Sequence, residues 1–92
     1  MLPVMGEREK LQIFGATVRK RRTEQGISQE SLATLAGLHR TYISMLERGI
    51  RNPSLTVILQ LAEALGTKAS TLIADLDAKV TKSAKDWCTL FN

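Results

Sequence analysis

The chain is predicted to fold as helices alone, and three observations carry that prediction. Apolar residues recur at spacings of three and four rather than two, glycines fall just past the end of four of the periodic runs, and serines stand where two of the runs begin. At 92 residues, 43% of them apolar and 24% charged, the chain has the size and composition of one small globular domain. It has no room for the large crevice that most enzymes build between layers.

The first helix is expected over Glu7 to Gln25. Leu11, Phe14, Gly15, Val18 and Arg22 share one stripe of it, while Lys10, Lys20, Arg21 and Glu24 face elsewhere. Gly26 stops it. Ser28 is the N-cap of a second helix, with Glu30 in its electropositive first turn, and Gly37 ends that helix three residues before the next begins. His39 opens the third, from about Arg40 to Arg48, and Gly49 closes it. Past Arg51-Asn52-Pro53, Ser54 caps a fourth helix whose buried stripe is read as Leu55, Ile58, Leu59, Ala62 and Leu65, with Gln60 and Glu63 outside and Gly66 at its end. A fifth helix is expected from Ala69 to Asp77, with Leu72, Ile73 and Leu76 on one face. The domain is thus taken as residues 1–77, and 78–92 as an extension that is either helical, since Val80, Ala84 and Trp87 are spaced by four and three, or loose.

Composition removes several classes of function. One histidine, His39, and one cysteine, Cys88, do not supply the four ligands of a zinc site, and there is no glycine-rich loop to cradle a phosphate. No metal, cofactor or catalytic constellation is therefore expected, and the chain is not read as an enzyme. No run of 18 apolar residues occurs, and Met1–Glu7 carries neither a basic segment nor a sustained apolar one, so no membrane is expected as a partner. A single cysteine suits a reducing cytoplasm. The net charge of +4 is unevenly placed: residues 1–53 hold nine Lys/Arg against five acids, whereas the rest of the chain holds four of each. All the excess positive charge lies in one half, which gives a polyanion-facing end and a neutral end.

The residues from Gln29 to Arg48 meet the physical needs of a helix-turn-helix. Two short helices cross steeply only if a contact residue is small, the turn admits a positive φ, and apolar side chains fill the wedge between them. Ala33 is the small residue, Gly37 the turn, and Leu32, Ala36, Leu38, Ile43 and Leu46 the wedge. At 43% apolar composition, chance fills all five wedge positions in about one window of 70. On a helical wheel Arg40, Thr41, Ser44 and Arg48 share one arc opposite Ile43 and Leu46. One face packs, and the other offers a guanidinium and hydroxyls suited to base edges and phosphates in a major groove.

The run Ile27-Ser-Gln-Glu-Ser-Leu-Ala-Thr-Leu-Ala-Gly-Leu-His-Arg-Thr-Tyr-Ile-Ser-Met-Leu-Glu-Arg-Gly-Ile-Arg-Asn-Pro-Ser-Leu55 resembles the lambda repressor-like, or Cro/C1-type (Xre family), helix-turn-helix domain. The resemblance spans about Phe14 to Leu76. Arg-Thr-Tyr-Ile-Ser followed by Glu-Arg-Gly-Ile-Arg-Asn-Pro is similar to the controller proteins of restriction-modification systems. It implies a five-helix DNA-binding domain acting as a transcriptional regulator on double-stranded DNA. Ser28 and Gln29 are then implied at a phosphate, and Arg40, Thr41, Tyr42, Ser44 and Met45 at base edges, with Arg40 the first choice for specificity through a guanine. Arg48, Arg51 and Asn52 are implied at backbone or flanking bases. Arg22 and Glu47 are implied to form a structural ion pair between the first helix and the end of the third, which keeps Arg22 out of the DNA set.

One such domain reads too few bases for a genome, so a homodimer on an inverted repeat is expected, with recognition helices about 34 Å apart. Its interface is expected on Leu72, Ile73, Leu76, Val80 and Trp87, in the neutral half, although Leu72 taken alone reads better as monomer core. A second class of function, a protein-interaction adaptor or antitoxin, would use the tail around Trp87 to capture a protein partner.

Overall fold

The computed structural model describes the backbone of residues 6–91 and the side chains of residues 6–80. Five helices follow one another: α1 (Glu7–Glu24), α2 (Gln29–Ala36), α3 (Arg40–Glu47), α4 (Leu55–Ala64) and α5 (Ala69–Phe91). Among the described residues there is no strand. The helix ends are set by local chemistry: Ser28 Oγ accepts from Ser31 N–H at 3.0 Å, and Ser54 Oγ accepts from Val57 N–H at 3.2 Å. Glu7 and Glu9 in the first turn of α1 and Arg21 and Arg22 in its last turn complement the helix dipole. Gly37 ends α2 at φ 71°, a conformation an L side chain resists, and the chain turns there so that Leu38 N–H reaches Ala33 C=O at 2.8 Å.

Helix α5 runs well beyond Asp77, where the sequence reading became open. No glycine or proline follows Gly66, so nothing in the composition interrupts it. The side chain of Trp87, on which the adaptor reading and part of the expected dimer surface rest, lies outside the described residues.

The core is one cluster. Val18, Leu32, Ile43, Leu46, Leu61 and Leu72 are its largest fully buried side chains, joined by Phe14, Ala33, Ala36, Ala62 and Leu65. Burying each of the large aliphatic side chains contributes about 1.5–3 kcal/mol. Through them α1 packs on α3 and α5, α2 on α3 and α4, and α4 on α5. Gln25 adds a polar tie between the ends of α1 and α4, its Nε2 donating to Leu65 C=O at 2.6 Å.

Two expectations are corrected here. Leu55 and Leu59 were read into the buried stripe of α4 but are 69% and 52% exposed, while Leu61, left out of that stripe, is fully buried. The physical reason is that apolar residues surround most of α4, so the apolar arc is wider than the arc that packs, and the inward face is turned toward Leu61 and Leu65. Leu72, named for a dimer surface, is fully buried inside the monomer, where its side chain completes the core. Ile73 and Leu76 are half-buried against that core, and Val80 is also half-buried.

Gly15 has a role that periodicity did not disclose. A Cβ at this position in α1 would press into the carbonyl oxygen of Leu46 and lie 2.8 Å from that of Glu47, both backbone atoms at the end of α3. The missing side chain is what lets α1 and α3 approach so closely. Gly15→Ala is accordingly expected to destabilise the fold by about 1–3 kcal/mol in chemical denaturation at fixed protein concentration, even though alanine is the better helix former.

Candidate nucleic-acid interface

Helix α3 presents two opposed faces. Ile43 and Leu46 are fully buried and anchor it to the core, as a helix of eight residues requires when it cannot hold itself together. On the other side Arg40, Thr41 and Arg48 are exposed, and Tyr42, Ser44 and Met45 are half-buried. The ridge read from the sequence therefore points outward. His39, the N-cap residue, makes no side-chain capping bond. Arg48, just past the helix, folds back so that its Nε reaches Ser44 C=O at 3.4 Å.

Behind the ridge lies a buried polar cluster that ties three helices. Arg22 Nε donates to Glu47 Oε2 at 2.7 Å and Arg22 Nη2 to Glu47 Oε1 at 3.0 Å, a two-pronged pairing of a planar guanidinium with a carboxylate. The two side chains are only 12% and 3% exposed. Arg22 Nη1 also donates to Ile27 C=O at 2.9 Å, which fixes the connection between α1 and α2. The bond to Glu47 raises the Arg22 pKa above its ordinary value, against the opposing effect of burial and with the help of the nearby negative charge. A raised arginine pKa means that its stabilising contribution is complete below the ordinary arginine range and is lost only above it, so it persists across the working pH range.

Gln29 joins the same cluster, since its Nε2 donates to Glu47 Oε1 at 3.1 Å. The sequence reading gave Gln29 to a DNA phosphate, and nothing in the periodicity signalled this bond, because the partners are 18 residues apart. Ser28 is likewise engaged within its own helix: its Oγ receives Ser31 N–H and donates to Ser31 Oγ at 3.0 Å. Asn52 Nδ2 donates to Glu7 Oε1 at 3.1 Å, so the connection after α3 is tied to the start of α1. The Arg51 guanidinium lies 5.9 Å from the centre of the Tyr42 ring, within reach of a cation–π attraction. Thus Arg40, Thr41, Ser44 and Arg48 form one outward ridge with Tyr42 and Arg51 at its side. Ser28, Gln29 and Asn52 have intramolecular partners.

A family model for a helix-turn-helix domain matches residues 18–72, more than half of the chain and the span that contains α2, α3 and α4. The chain belongs to the HTH_3 helix-turn-helix family. It is 44% identical over 62 residues to control protein C.SmaI of Serratia marcescens, covering 67% of this chain and 74% of that protein. Among solved structures, the restriction-modification controller protein C.AhdI from Aeromonas hydrophila superposes with a TM-score of 0.67 at 50% identity, over 67% of this chain and 94% of that one. The controller protein C.Esp1396I, solved as a tetramer in complex with its natural 35 base-pair operator, matches with a TM-score of 0.69 at 29% identity, over 78% of this chain and 95% of that one.

Glu47→Ala in this helix-turn-helix would leave the Arg22 guanidinium and the Gln29 amide without their acceptor. It is expected to cost about 3–5 kcal/mol of stability, read as a large fall in thermal midpoint. Arg22→Lys, which keeps the charge but loses the two-pronged geometry, is expected to fall between this variant and the wild type.

Proposed function

We propose that this chain is a sequence-specific transcriptional regulator that binds an inverted-repeat operator as a homodimer, with α3 in the major groove. The observation that carries this reading is the outward polar ridge Arg40–Thr41–Ser44–Arg48, held rigid by Ile43 and Leu46 beneath and by the Glu47 cluster at its end. Likeness to controller proteins, one of them solved on its operator, supports it. The activity is binding rather than catalysis, and its place is the cytoplasm, where the DNA of bacteria lies.

The residues divide by role. Arg40 offers two parallel donors to guanine O6 and N7, Thr41 and Ser44 offer hydroxyls to neighbouring base edges, and Met45 offers an apolar contact to a thymine methyl. Tyr42, held on one side by the core and on the other by Arg51, presents its ring edge and hydroxyl beside them. Arg48 and Arg51 neutralise phosphates. Gln29 keeps its side chain on Glu47, and its backbone N–H at the start of α2 meets a phosphate, where the helix dipole favours negative charge. Ser28 flanks that phosphate chiefly by capping α2. Asn52 reaches flanking backbone if it releases Glu7.

Selection of bound duplexes from a random pool is expected to return an inverted repeat whose half-site centres are about one turn, 34 Å, apart. Against that sequence Arg40→Ala is expected to lose about 1–3 kcal/mol and to relax one position of each half-site, while affinity falls steeply with added salt. Equal binding of all sequences by wild type and variant, with a flat salt response, would contradict the proposal.

A further inference from the structure

The connection that follows α3 holds a contact that works against the function proposed above. Residues 48–54 carry Arg48, Arg51 and Asn52 past the end of the ridge, and two observations fix this stretch along the first turns of α1. A Cβ on Gly49 would come within 2.8 Å of Gln12 Cα and 2.9 Å of its backbone nitrogen, so the start of the connection is pressed onto α1. Asn52 and Pro53 then line one apolar cleft together with Glu7, Lys10 and Leu11. The first turn of α1 therefore brings a carboxylate, that of Glu7, to the basic connection.

What Asn52 meets at that place is an anion. Its Nδ2 donates to Glu7 Oε1 at 3.1 Å, and both side chains are exposed. A carboxylate oxygen and a phosphate oxygen are the same kind of acceptor, an anionic oxygen that takes an N–H. The amide has a second hydrogen, but giving it to DNA while the first stays on Glu7 would hold two anions about 5 Å apart across one nitrogen. Among the described residues Glu7 forms no ion pair, so no paired cation offsets its repulsion of an approaching phosphate.

We infer that the Glu7 carboxylate occupies the place of a DNA phosphate at Asn52 in the free protein, so that docking exchanges one anionic acceptor for the other and Glu7 lowers the affinity for every sequence. The inference rests on the operator-binding reading, with Asn52 at the DNA backbone, and adds to it an acid that opposes binding. The exchange needs little movement, because the backbone beneath is held by Gly49 against Gln12 and only two exposed side chains must turn. An exposed bond of this kind is readily given up, since water solvates both partners once they part. Because a phosphate contact carries no base information, Glu7 weakens specific and nonspecific binding by the same factor and leaves the choice of sequence to the ridge.

Glu9 provides a comparison within the same helical turn. It is also exposed and bears the same relation to the α1 dipole, but it lines the groove between α1 and α5 on another side of the helix. Removing either acid changes the net charge by one unit and takes a similar favourable dipole interaction from α1, whereas the bond to Asn52 belongs to Glu7.

The test is fluorescence anisotropy of the full chain with a labelled duplex recovered by selection and a labelled random-sequence duplex of equal length, circular dichroism melts establishing that each variant folds. Glu7→Ala is expected to tighten binding to both duplexes by about 3- to 10-fold at about 50 mM salt, and by less at about 200 mM. Glu7→Gln, which removes the charge but keeps an acceptor, is expected to act in the same direction. Glu9→Ala is expected to change affinity by at most about 2-fold, since its charge is more distant and screened. With Asn52 already replaced by alanine, Glu7→Ala is expected to gain no more than Glu9→Ala does. A Glu7→Ala protein that binds as the wild type does, or more weakly, would overturn the inference, because the contact would then be idle or hold Asn52 ready for DNA. So would equal gains for Glu7→Ala and Glu9→Ala, which net charge alone produces, or a Glu7→Ala gain undiminished by Asn52→Ala. These outcomes leave operator binding standing, since the wild type still holds its selected duplex. A wild type that binds no duplex would sink the operator-binding reading and this inference together.

Discussion

The buried carboxylate of Glu47 is the constraint on which the arrangement of this molecule depends. It accepts from the Arg22 guanidinium on α1 and from the Gln29 amide on α2 while sitting at the last residue of α3, so one side chain registers three helices against each other. Removing a carboxylate from water is costly, and that cost is offset here because three donors converge on its two oxygens. A buried apolar contact tolerates sliding by a fraction of an ångström, whereas a forked guanidinium–carboxylate pair does not. Gly15 works to the same end, because the absence of its Cβ lets the backbone of α1 lie against the carbonyls of Leu46 and Glu47. The closeness of α1 to α3 and the bonding of Glu47 are two aspects of one packing solution.

This rigidity explains how an eight-residue helix can serve as a reading head. Such a helix is not stable alone in water, and each of its outward side chains gains affinity only if the backbone beneath them is already in place. Ile43 and Leu46 supply the apolar anchor and the Glu47 cluster fixes the far end, while Arg40 and Thr41 at the start of the helix stay exposed. Around this ridge the polar groups differ in availability. Arg40 and Thr41 are exposed, whereas Ser28, Gln29 and Asn52 each make a bond within the chain.

Much of this was legible before coordinates. Ser28, Gly37 and Ser54 mark helix ends through chemistry that acts within four residues, and the wedge from Leu32 to Leu46 follows from a period, so both are local signals. The outward direction of Arg40, Thr41 and Arg48 follows from the same period once Ile43 and Leu46 are assigned inward. What was not legible depends on distance along the chain or on ambiguity of pattern. The bond from Gln29 to Glu47 and that from Gln25 to Leu65 join residues 18 and 40 apart, and no spacing rule reports them. Helix α4 is apolar nearly all round, so hydrophobicity alone did not decide which leucines turn inward, and Leu55 and Leu59 were placed on the wrong side. Gly15 did leave a sign: a glycine in the middle of a helix, on its buried stripe, marks a close approach of another backbone.

The central claim is that the α3 ridge, flanked by the start of α2 and the connection after α3, is the surface that meets DNA. It is tested most directly by recording backbone amide NMR spectra of the folded chain while titrating a duplex recovered by selection. The account predicts that the shifts concentrate on Arg40–Glu47, on Arg48 and Arg51, and on the first turn of α2, with the core face of α5 unchanged. Shifts confined to α5, or spread evenly over the surface with α3 unaffected, would contradict it.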